Sequence, residues 1–275
     1  MTQAEKIQLQ DIARKIRIDI IEQVHSAKSG HPGGSLSIAD IMTYLYFKEM
    51  NVDPKNPDMQ DRDRLVLSKG HTCPALYAAL AEKGFFDVEL LKTFRKMGSI
   101  LQGHPDMKNI PGVDMSSGSL GQGISAACGM ALAAKFDKKN YRVYAILGDG
   151  EIEEGQVWEA FMFASHYKLN NLCAIIDRNG LQIDGRCADV MSTEPLEEKM
   201  SSFGFNVISA DAHNFDSIEM AFDAAKMCSD KPSVIIADSI KGKGVSFMEN
   251  VVSWHGTAPN DEQYTQAIKD LGEDA

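Results

Sequence analysis

The chain has 275 residues, of which 44% are hydrophobic, 24% charged and 8% aromatic, which is typical of a globular protein with a sizeable core. Its formal net charge is −11, from 28 Lys plus Arg and 39 Asp plus Glu. An acidic chain without a Lys/Arg run is not expected to bind nucleic acid or an anionic membrane surface. Any phosphate group must therefore be held by backbone N–H groups, by isolated His or Lys side chains, or by a metal ion.

The cysteines indicate the redox environment. They are too far apart in sequence for a CxxC motif or a zinc ribbon: Cys73, Cys128, Cys173, Cys187 and Cys228. An odd count in a mid-sized chain indicates reduced, mostly buried thiols, and hence a cytoplasmic protein. The first twenty residues form an amphipathic helical pattern and not a signal peptide, and no apolar run is long enough to span a membrane.

Taken in chain order, the sequence alternates helical patterns with continuous apolar runs. Ile12, Ile16, Ile20 and Val24 recur every four positions, which predicts an N-terminal helix that ends near residues 29–30. Further helices are predicted at 38–50, from Pro74 onward, and at 121–135, 156–168 and 216–227. Strands are predicted at 65–67, 141–147, 172–177, 205–209 and 233–238.

This alternation predicts the fold class. Continuous apolar strands separated by helices are typical of a parallel sheet whose two faces are both covered. We therefore expect an α/β fold with a doubly wound, mostly parallel sheet and helices on both faces. We expect one domain over residues 1–275, with an irregular tail from about residue 241.

Two of the predicted strand-to-helix turns carry polar residues suited to a cation. Gly148-Asp149-Gly150 follows one buried strand, and Asn179 follows the next strand thirty residues after Asp149. Adjacent parallel strands would bring both residues to the same edge of the sheet, where ligands bind in doubly wound folds. Carboxylate, amide and backbone carbonyl oxygens together suit an octahedral Mg²⁺. Taken separately, each motif is also compatible with a simple turn.

Four of the seven histidines lie in Gly- or Pro-containing turns, where a side chain can face a cleft: His31, His71, His104 and His255. Neutral imidazoles can pass protons to and from carbonyl and hydroxyl oxygens near neutral pH. The remaining three lie in helical patterns or in a polar turn, and we assign them no role. Lys241 and Lys243, between glycines, fit either a phosphate contact or a solvated loop.

The GDG motif followed about thirty residues later by Asn resembles the signature of thiamine diphosphate enzymes. Flanking segments narrow the resemblance to the transketolase family, and it extends from about residue 10 to about residue 260. They are KSGHPGGSLS (28–37), LVLSKGH (65–71), GHPD (103–106), SSGSLGQG (116–123) and KGKGVSFME (241–249). The match is to the N-terminal, diphosphate-binding domain of a full transketolase.

The resemblance implies a cofactor site for thiamine diphosphate and Mg²⁺, or Ca²⁺ or Mn²⁺ in its place. Asp149, Asn179 and the Leu181 carbonyl would hold the metal ion. The residues that would contact the cofactor are His71, Gly118, Leu120, Gly150, Asn179, Ile183 and His255. Among these, His71 and Gly150 would approach the diphosphate, Gly118 and Leu120 would approach the rings by their backbone, and Ile183 would pack on the rings.

The resemblance also implies catalytic residues. His31, His104 and His255 would surround the thiazolium ring and the sugar hydroxyls. Glu154 would belong to a buried network that links the two cofactor sites of a transketolase dimer. The expected reaction transfers a two-carbon ketol unit from a ketose phosphate to an aldose phosphate.

In the family, a glutamate on a following pyrimidine-binding domain activates the cofactor, and that domain is not part of this sequence. We therefore expect the N-terminal subunit of a split transketolase, with a partner that supplies the pyrimidine-binding and C-terminal domains, as an α2β2 assembly. Two alternatives remain open at this point. One is a subunit of another thiamine-dependent transferase, such as a deoxyxylulose-phosphate-synthase-like enzyme or a ketolase for an unusual sugar. The other is a non-catalytic subunit that only binds cofactor.

Overall fold

A parallel sheet of five strands forms the centre of the computed structural model, which describes residues 1–272. The sheet strands are β1 (Arg64–Leu67), β2 (Val143–Gly148), β3 (Leu172–Arg178), β6 (Asn206–Asp211) and β7 (Ser233–Asp238). Their spatial order is β1-β2-β3-β7-β6, and every neighbouring pair is parallel. A short antiparallel hairpin, β4 (Leu181–Gln182) with β5 (Gly185–Arg186), follows β3. The parallel alignment brings the carboxyl ends of all five strands to one edge.

Residues 1–272 contain ten α-helices. They are α1 (Gln3–Ala27), α2 (Pro32–Ser37), α3 (Ala39–Tyr44), α4 (Cys73–Lys83), α5 (Gly123–Phe136), α6 (Gly155–His166), α7 (Cys187–Val190), α8 (Leu196–Ser202), α9 (Phe215–Met227) and α10 (Asp261–Asp270). None of these helices combines the length and the apolar character that a membrane span requires.

The two faces of the sheet bury separate hydrophobic clusters. Successive side chains of a strand point to opposite faces, so Ile175 of β3 joins one cluster and Ile176 joins the other. Helices α1, α3, α4, α9 and α10 pack on the first face, and α5, α6 and α8 pack on the second. The prediction of a mostly parallel, doubly wound sheet with helices on both faces is thus confirmed.

The segment after Lys241 differs from the sequence-based expectation of an irregular tail. It contains α10, which begins at an Asn260 capping box in which Asn260 and Gln263 satisfy each other's backbone N–H groups. Ala267 and Ile268 of α10 are buried. This start signal is easily missed in the sequence because the helix is short and otherwise polar.

The predicted helix at 38–50 is also divided differently. An additional short helix, α2, precedes it, and after α3 the chain continues as a π-helical turn, Leu45–Glu49. Helix α2 begins with Pro32, whose missing N–H costs nothing at the first helical position. The GHPGG motif, which was predicted to form a turn, therefore starts a helix, and this brings His31 to a helix N-terminus.

Two adjacent residues of α6 are expected to differ strongly in their contribution to the free energy of unfolding. Phe161 is fully buried and its ring lies 5.2 Å from that of Phe205 and 5.8 Å from that of Trp158, whereas Met162 is 57% exposed. We expect Phe161→Ala to lower the free energy of unfolding by about 3–5 kcal/mol because it leaves a cavity. Met162→Ala should change it by less than about 0.5 kcal/mol. Urea unfolding followed by circular dichroism measures both, and equal losses would contradict this assignment of the core.

Candidate cofactor site

A cavity of about 310 Å³ lies at the carboxyl ends of β1, β2, β3 and β7. All residues predicted to contact the cofactor or the metal ion line it: His71, Gly118, Leu120, Asp149, Gly150, Asn179, Leu181, Ile183 and His255. The cavity is also lined by residues that were not predicted for the site, namely Gly34, Lys69, Gly148, Glu151 and Gln182, and by Lys241, for which the sequence left a phosphate contact and a solvated loop open. Segments that are spread along the chain from Gly34 to His255 therefore meet at one cavity.

The GDG turn places a buried carboxylate in this cavity. Gly148 at the end of β2 pairs with Asp177 of β3, so Asp149 lies opposite the turn that follows β3. Asp149 Oδ1 accepts the Gly150 N–H at 2.9 Å, and Oδ2 accepts the Gly180 N–H. Burial and the nearby Asp177 carboxylate raise the pKa of Asp149 to about 6. Desolvation of the carboxylate is the larger of these two causes, and the N–H groups of Gly180 and Gly150 and the charge of Lys241 oppose it.

Two further oxygens lie beside Asp149. Asn179 donates from Nδ2 to Asp177 Oδ2 at 2.8 Å, and its Oδ1 accepts the Leu181 N–H at 3.1 Å. The Leu181 carbonyl accepts from Lys241 Nζ at 3.0 Å. Among residues 1–272 no group of three or more His, Cys, Asp or Glu side chains could hold a metal ion. The set formed by one carboxylate, one amide oxygen and one carbonyl is instead the hard-oxygen type that suits Mg²⁺ or Ca²⁺.

A buried ion pair behind these oxygens was not predicted. Asp177 is fully buried, and its Oδ2 accepts from Lys69 Nζ at 2.6 Å and from Ser37 Oγ at 2.7 Å. Lys69 Nζ also donates to the Gly34 carbonyl at 3.0 Å. Lys69 holds the pKa of Asp177 below its usual value despite the opposing effect of burial. The sequence signal for this pair was a charged residue at the carboxyl end of two apolar strands: Lys69 follows β1, and Asp177 lies near the end of β3.

Three of the four predicted histidines form one cluster of rings. The ring centroids of His31 and His71 are 5.0 Å apart, those of His71 and His255 are 5.2 Å apart, and those of His31 and His255 are 5.6 Å apart. His31 Nδ1 is buried and has no hydrogen-bond partner within the described part of the chain. A buried, unpartnered ring nitrogen beside a cavity is a site for a ligand hydrogen bond.

The histidines are held in the neutral form. Burial lowers the pKa of His31 to about 4 and that of His255 to about 3, with Arg95 and Lys241 adding to the respective effects. Burial also lowers the pKa of His71 well below its usual value, and that of His104 to a smaller extent. Each ring can therefore both donate and accept a hydrogen bond at neutral pH.

His104 lies beside the cavity but does not line it. A Cβ atom at Gly118 would lie 3.2 Å from the His104 ring, so the absence of a side chain at Gly118 lets the two segments meet. The loop that carries His104 is fixed from behind, because Tyr77 Oη donates to the carbonyls of Gln102 and His104, each at 2.9 Å. The structure thus brings His104 to the cavity-lining loop that carries Gly118.

The GDGEIEEG segment contains a second buried carboxylate that was not predicted from the sequence. Glu151 accepts the N–H groups of Gly148 and Gly121, each at 3.0 Å, and the hydroxyl of Ser68. It thereby joins the ends of β1 and β2 to the loop that precedes α5. The predicted network residue, Glu154, instead lies exposed at the start of α6. Because three glutamates lie within four positions, the sequence alone does not show which of them is buried.

Comparisons with known proteins identify the family to which the chain is similar. The family model described as "Transketolase, thiamine diphosphate binding domain" matches residues 8–275. The 6-deoxy-6-sulfo-D-fructose transketolase subunit SqwG of Clostridium sp. (strain MSTE9) is 48% identical, over 97% of this chain and 97% of that protein. An apulose-4-phosphate transketolase subunit of Phocaeicola vulgatus is 43% identical, over 98% of this chain and 95% of that protein.

Solved structures lead to the same family. Transketolase from Leishmania mexicana superposes with a TM-score of 0.91 at 33% identity, covering 97% of this chain and 41% of that one. Transketolase from Campylobacter jejuni gives the same TM-score of 0.91 at 35% identity and covers 43% of that chain. The chain therefore belongs to the transketolase family and corresponds to its thiamine diphosphate-binding domain.

Proposed function

We propose that this chain is the N-terminal subunit of a two-subunit transketolase that transfers a two-carbon ketol unit from a ketose phosphate to an aldose phosphate. The single observation that carries the proposal is the cavity at which three hard oxygens meet a cluster of three neutral histidine rings, of which His71 and His255 line the cavity and His31 packs against both. Two relatives that match over nearly their whole length are named as transketolase subunits, and each name gives a different sugar. The free thiols of all five cysteines support a cytoplasmic location.

The donor set supports binding of Mg²⁺ and the diphosphate of the cofactor. Asp149, Asn179 and the Leu181 carbonyl would hold the ion, and Asp177 orients the Asn179 amide because it accepts from Nδ2. The amide oxygen, and not the nitrogen, then faces away from Asp177 and keeps one lone pair for a cation beside its bond to the Leu181 N–H, which is how residues behind a metal site fix its ligands. The Leu181 carbonyl likewise keeps one lone pair beside its bond to Lys241 Nζ.

Thiamine diphosphate, when bound, supplies the nucleophile that allows the C2–C3 bond of a ketose to break. The residues of this chain would bind and orient the reactants. His31 Nδ1 is available to a substrate hydroxyl or carbonyl oxygen, and the His255 and His71 ring centroids lie 5.6 and 5.0 Å from that of His31. Because all three rings are neutral at pH 7, each can accept a proton, or donate a hydrogen bond from its ring N–H, without first having to lose a proton.

An exposed apolar face on α5 and α6 supports the need for a partner subunit. Helices α5 and α6 pack together and leave Phe136 at 76%, Met162 at 57%, Tyr167 at 44% and Phe163 at 37% exposure. Neighbouring exposed apolar side chains mark a protein interface. Glu154 lies at the start of α6, on the surface near Gly121, where a docked subunit would bury it. We propose that the partner carries the pyrimidine-binding domain with its activating glutamate, in an α2β2 assembly.

Ketol transfer from xylulose 5-phosphate to ribose 5-phosphate tests the proposed function. With thiamine diphosphate and Mg²⁺ present, we expect turnover only when the chain is mixed with a subunit that carries the pyrimidine-binding domain, because the activating glutamate lies there. A panel that adds a sulfonated ketose and a branched ketose phosphate identifies the physiological donor. Turnover by the isolated chain would contradict the split site. A complex that binds cofactor but transfers no ketol unit from any donor would contradict the activity.

The metal assignment is tested by direct binding. We expect Asp149→Ala and Asn179→Ala to abolish Mg²⁺-dependent binding of thiamine diphosphate to the assembled complex, measured by calorimetry. Asp177→Asn should weaken binding by about 10–100-fold, because it misorients a metal ligand without removing one. Asp137→Asn, at an exposed carboxylate beyond α5, is the matched control. Wild-type affinity in both alanine variants would overturn the metal assignment.

The proposed interface is tested by a charge placed on α6. We expect Met162→Lys to prevent association with the partner subunit, because it would bury an unpaired ammonium, and to leave the unfolding free energy of the chain unchanged. Met227→Lys, on α9 at 84% exposure, is the control and should still associate. Size-exclusion chromatography of the mixtures measures association, and equal behaviour of the two variants would contradict the assigned face.

A further inference from the structure

The segment at residues 240–244 carries one of the two buried lysines of the cavity wall. Lys241 is 3% exposed, and its Nζ lies 3.0 Å from the Leu181 carbonyl and 3.1 Å from His255 Nδ1. The Lys241 side chain reaches both partners only while the backbone of this segment keeps its position.

Hydrogen bonds with residues outside the cavity hold that backbone on both sides of Lys241. The Ile240 N–H donates to His213 Nε2 at 2.9 Å, and the Lys243 carbonyl accepts from Arg17 Nε at 3.2 Å. A Cβ atom at Gly244 would lie 3.1 Å from Arg17 Cδ, so the segment also packs against the Arg17 side chain. His213 and Arg17 come from different elements, the loop before α9 and the middle of α1.

One buried carboxylate holds both of these side chains. Asp40 of α3 is 5% exposed and accepts from Arg17 Nη1 at 3.0 Å, from Arg17 Nη2, and from His213 Nδ1 at 2.8 Å. The backbone N–H of Ile240 can only donate, so His213 Nε2 must accept and the ring proton must lie on Nδ1. The imidazole is thus fixed as one tautomer between Asp40 and the segment.

We propose that Asp40 is a positioning residue of the cofactor site, which acts through His213 and Arg17 to fix the backbone on both sides of Lys241. The Lys241 ammonium is thereby kept at the Leu181 carbonyl, where the metal ion and the diphosphate are proposed to bind. The consequence for cofactor binding rests on the proposed function, but the claim that Asp40 and His213 set the position of Lys241 concerns this chain alone.

The first test uses the free chain and needs no cofactor. Hydrogen–deuterium exchange at residues 240–243 and the rate of Lys241 acetylation by acetic anhydride, relative to Lys243, are measured by mass spectrometry. We expect His213→Ala and Asp40→Asn to speed both by about fivefold or more, because the Ile240 N–H loses its acceptor or the acceptor loses its support. His166→Ala, at an exposed histidine on α6, should change neither. Unchanged exchange and acetylation in His213→Ala would overturn the proposal even if Asp40→Asn fails to fold.

The second test asks whether the effect on cofactor binding passes through Lys241. In the assembled complex we expect His213→Ala to weaken Mg²⁺–thiamine diphosphate binding by about fivefold, and to have no further effect in a Lys241→Met background. The same loss in both backgrounds would show a general structural role and overturn the proposal. If the wild-type complex binds no cofactor, the proposed function fails, and the exchange and acetylation rates still decide the positioning role.

Discussion

The fully buried carboxylate of Asp177 is the group on which the geometry of the site depends. It accepts hydrogen bonds from Lys69 after β1, from Asn179 after β3, from Ser37 of α2 and from Ser239 after β7. A buried charge is tolerated only when it is paired and its oxygens are hydrogen-bonded. Four segments must therefore meet at one point for the chain to fold, and that point lies directly behind the proposed metal ligands.

The titratable groups around the cavity are consistent with this constraint. The pKa of Asp149 is raised, and those of His31, His255 and Lys241 are lowered, in each case chiefly by burial. The cavity thus holds its ionisable groups in conditions that disfavour charge. A divalent cation and a diphosphate would together restore charge balance there, so the folded chain carries a cost that ligand binding can offset.

The sequence allowed the sheet to be predicted because its strands are continuous apolar runs, and the ends of β2 and β3 fix the positions of Asp149 and Asn179. Parallel pairing alone places those two turns at one edge, so no contact had to be known in advance. Lys69 and Glu151 were missed because their partners lie far away in sequence, on β3 and in the loop before α5. A charged side chain is buried only where it has an ion-pair or hydrogen-bond partner, and the folded structure is needed to show which residues have one.

The role of His213 could not be predicted from the sequence either. It lies in a polar turn where sequence alone indicates a surface residue, yet its ring joins Asp40 to the backbone beside Lys241. Each face of the sheet buries a hydrophobic cluster formed by residues of this chain. What remains open is the rim of the cavity, where Ile183 is 65% exposed and Leu120 is 37% exposed. Apolar side chains left in water at the mouth of a site are stabilised when another surface covers them. This transketolase-family domain thus preorganises one half of the proposed site and leaves an apolar rim that the proposed partner subunit would cover.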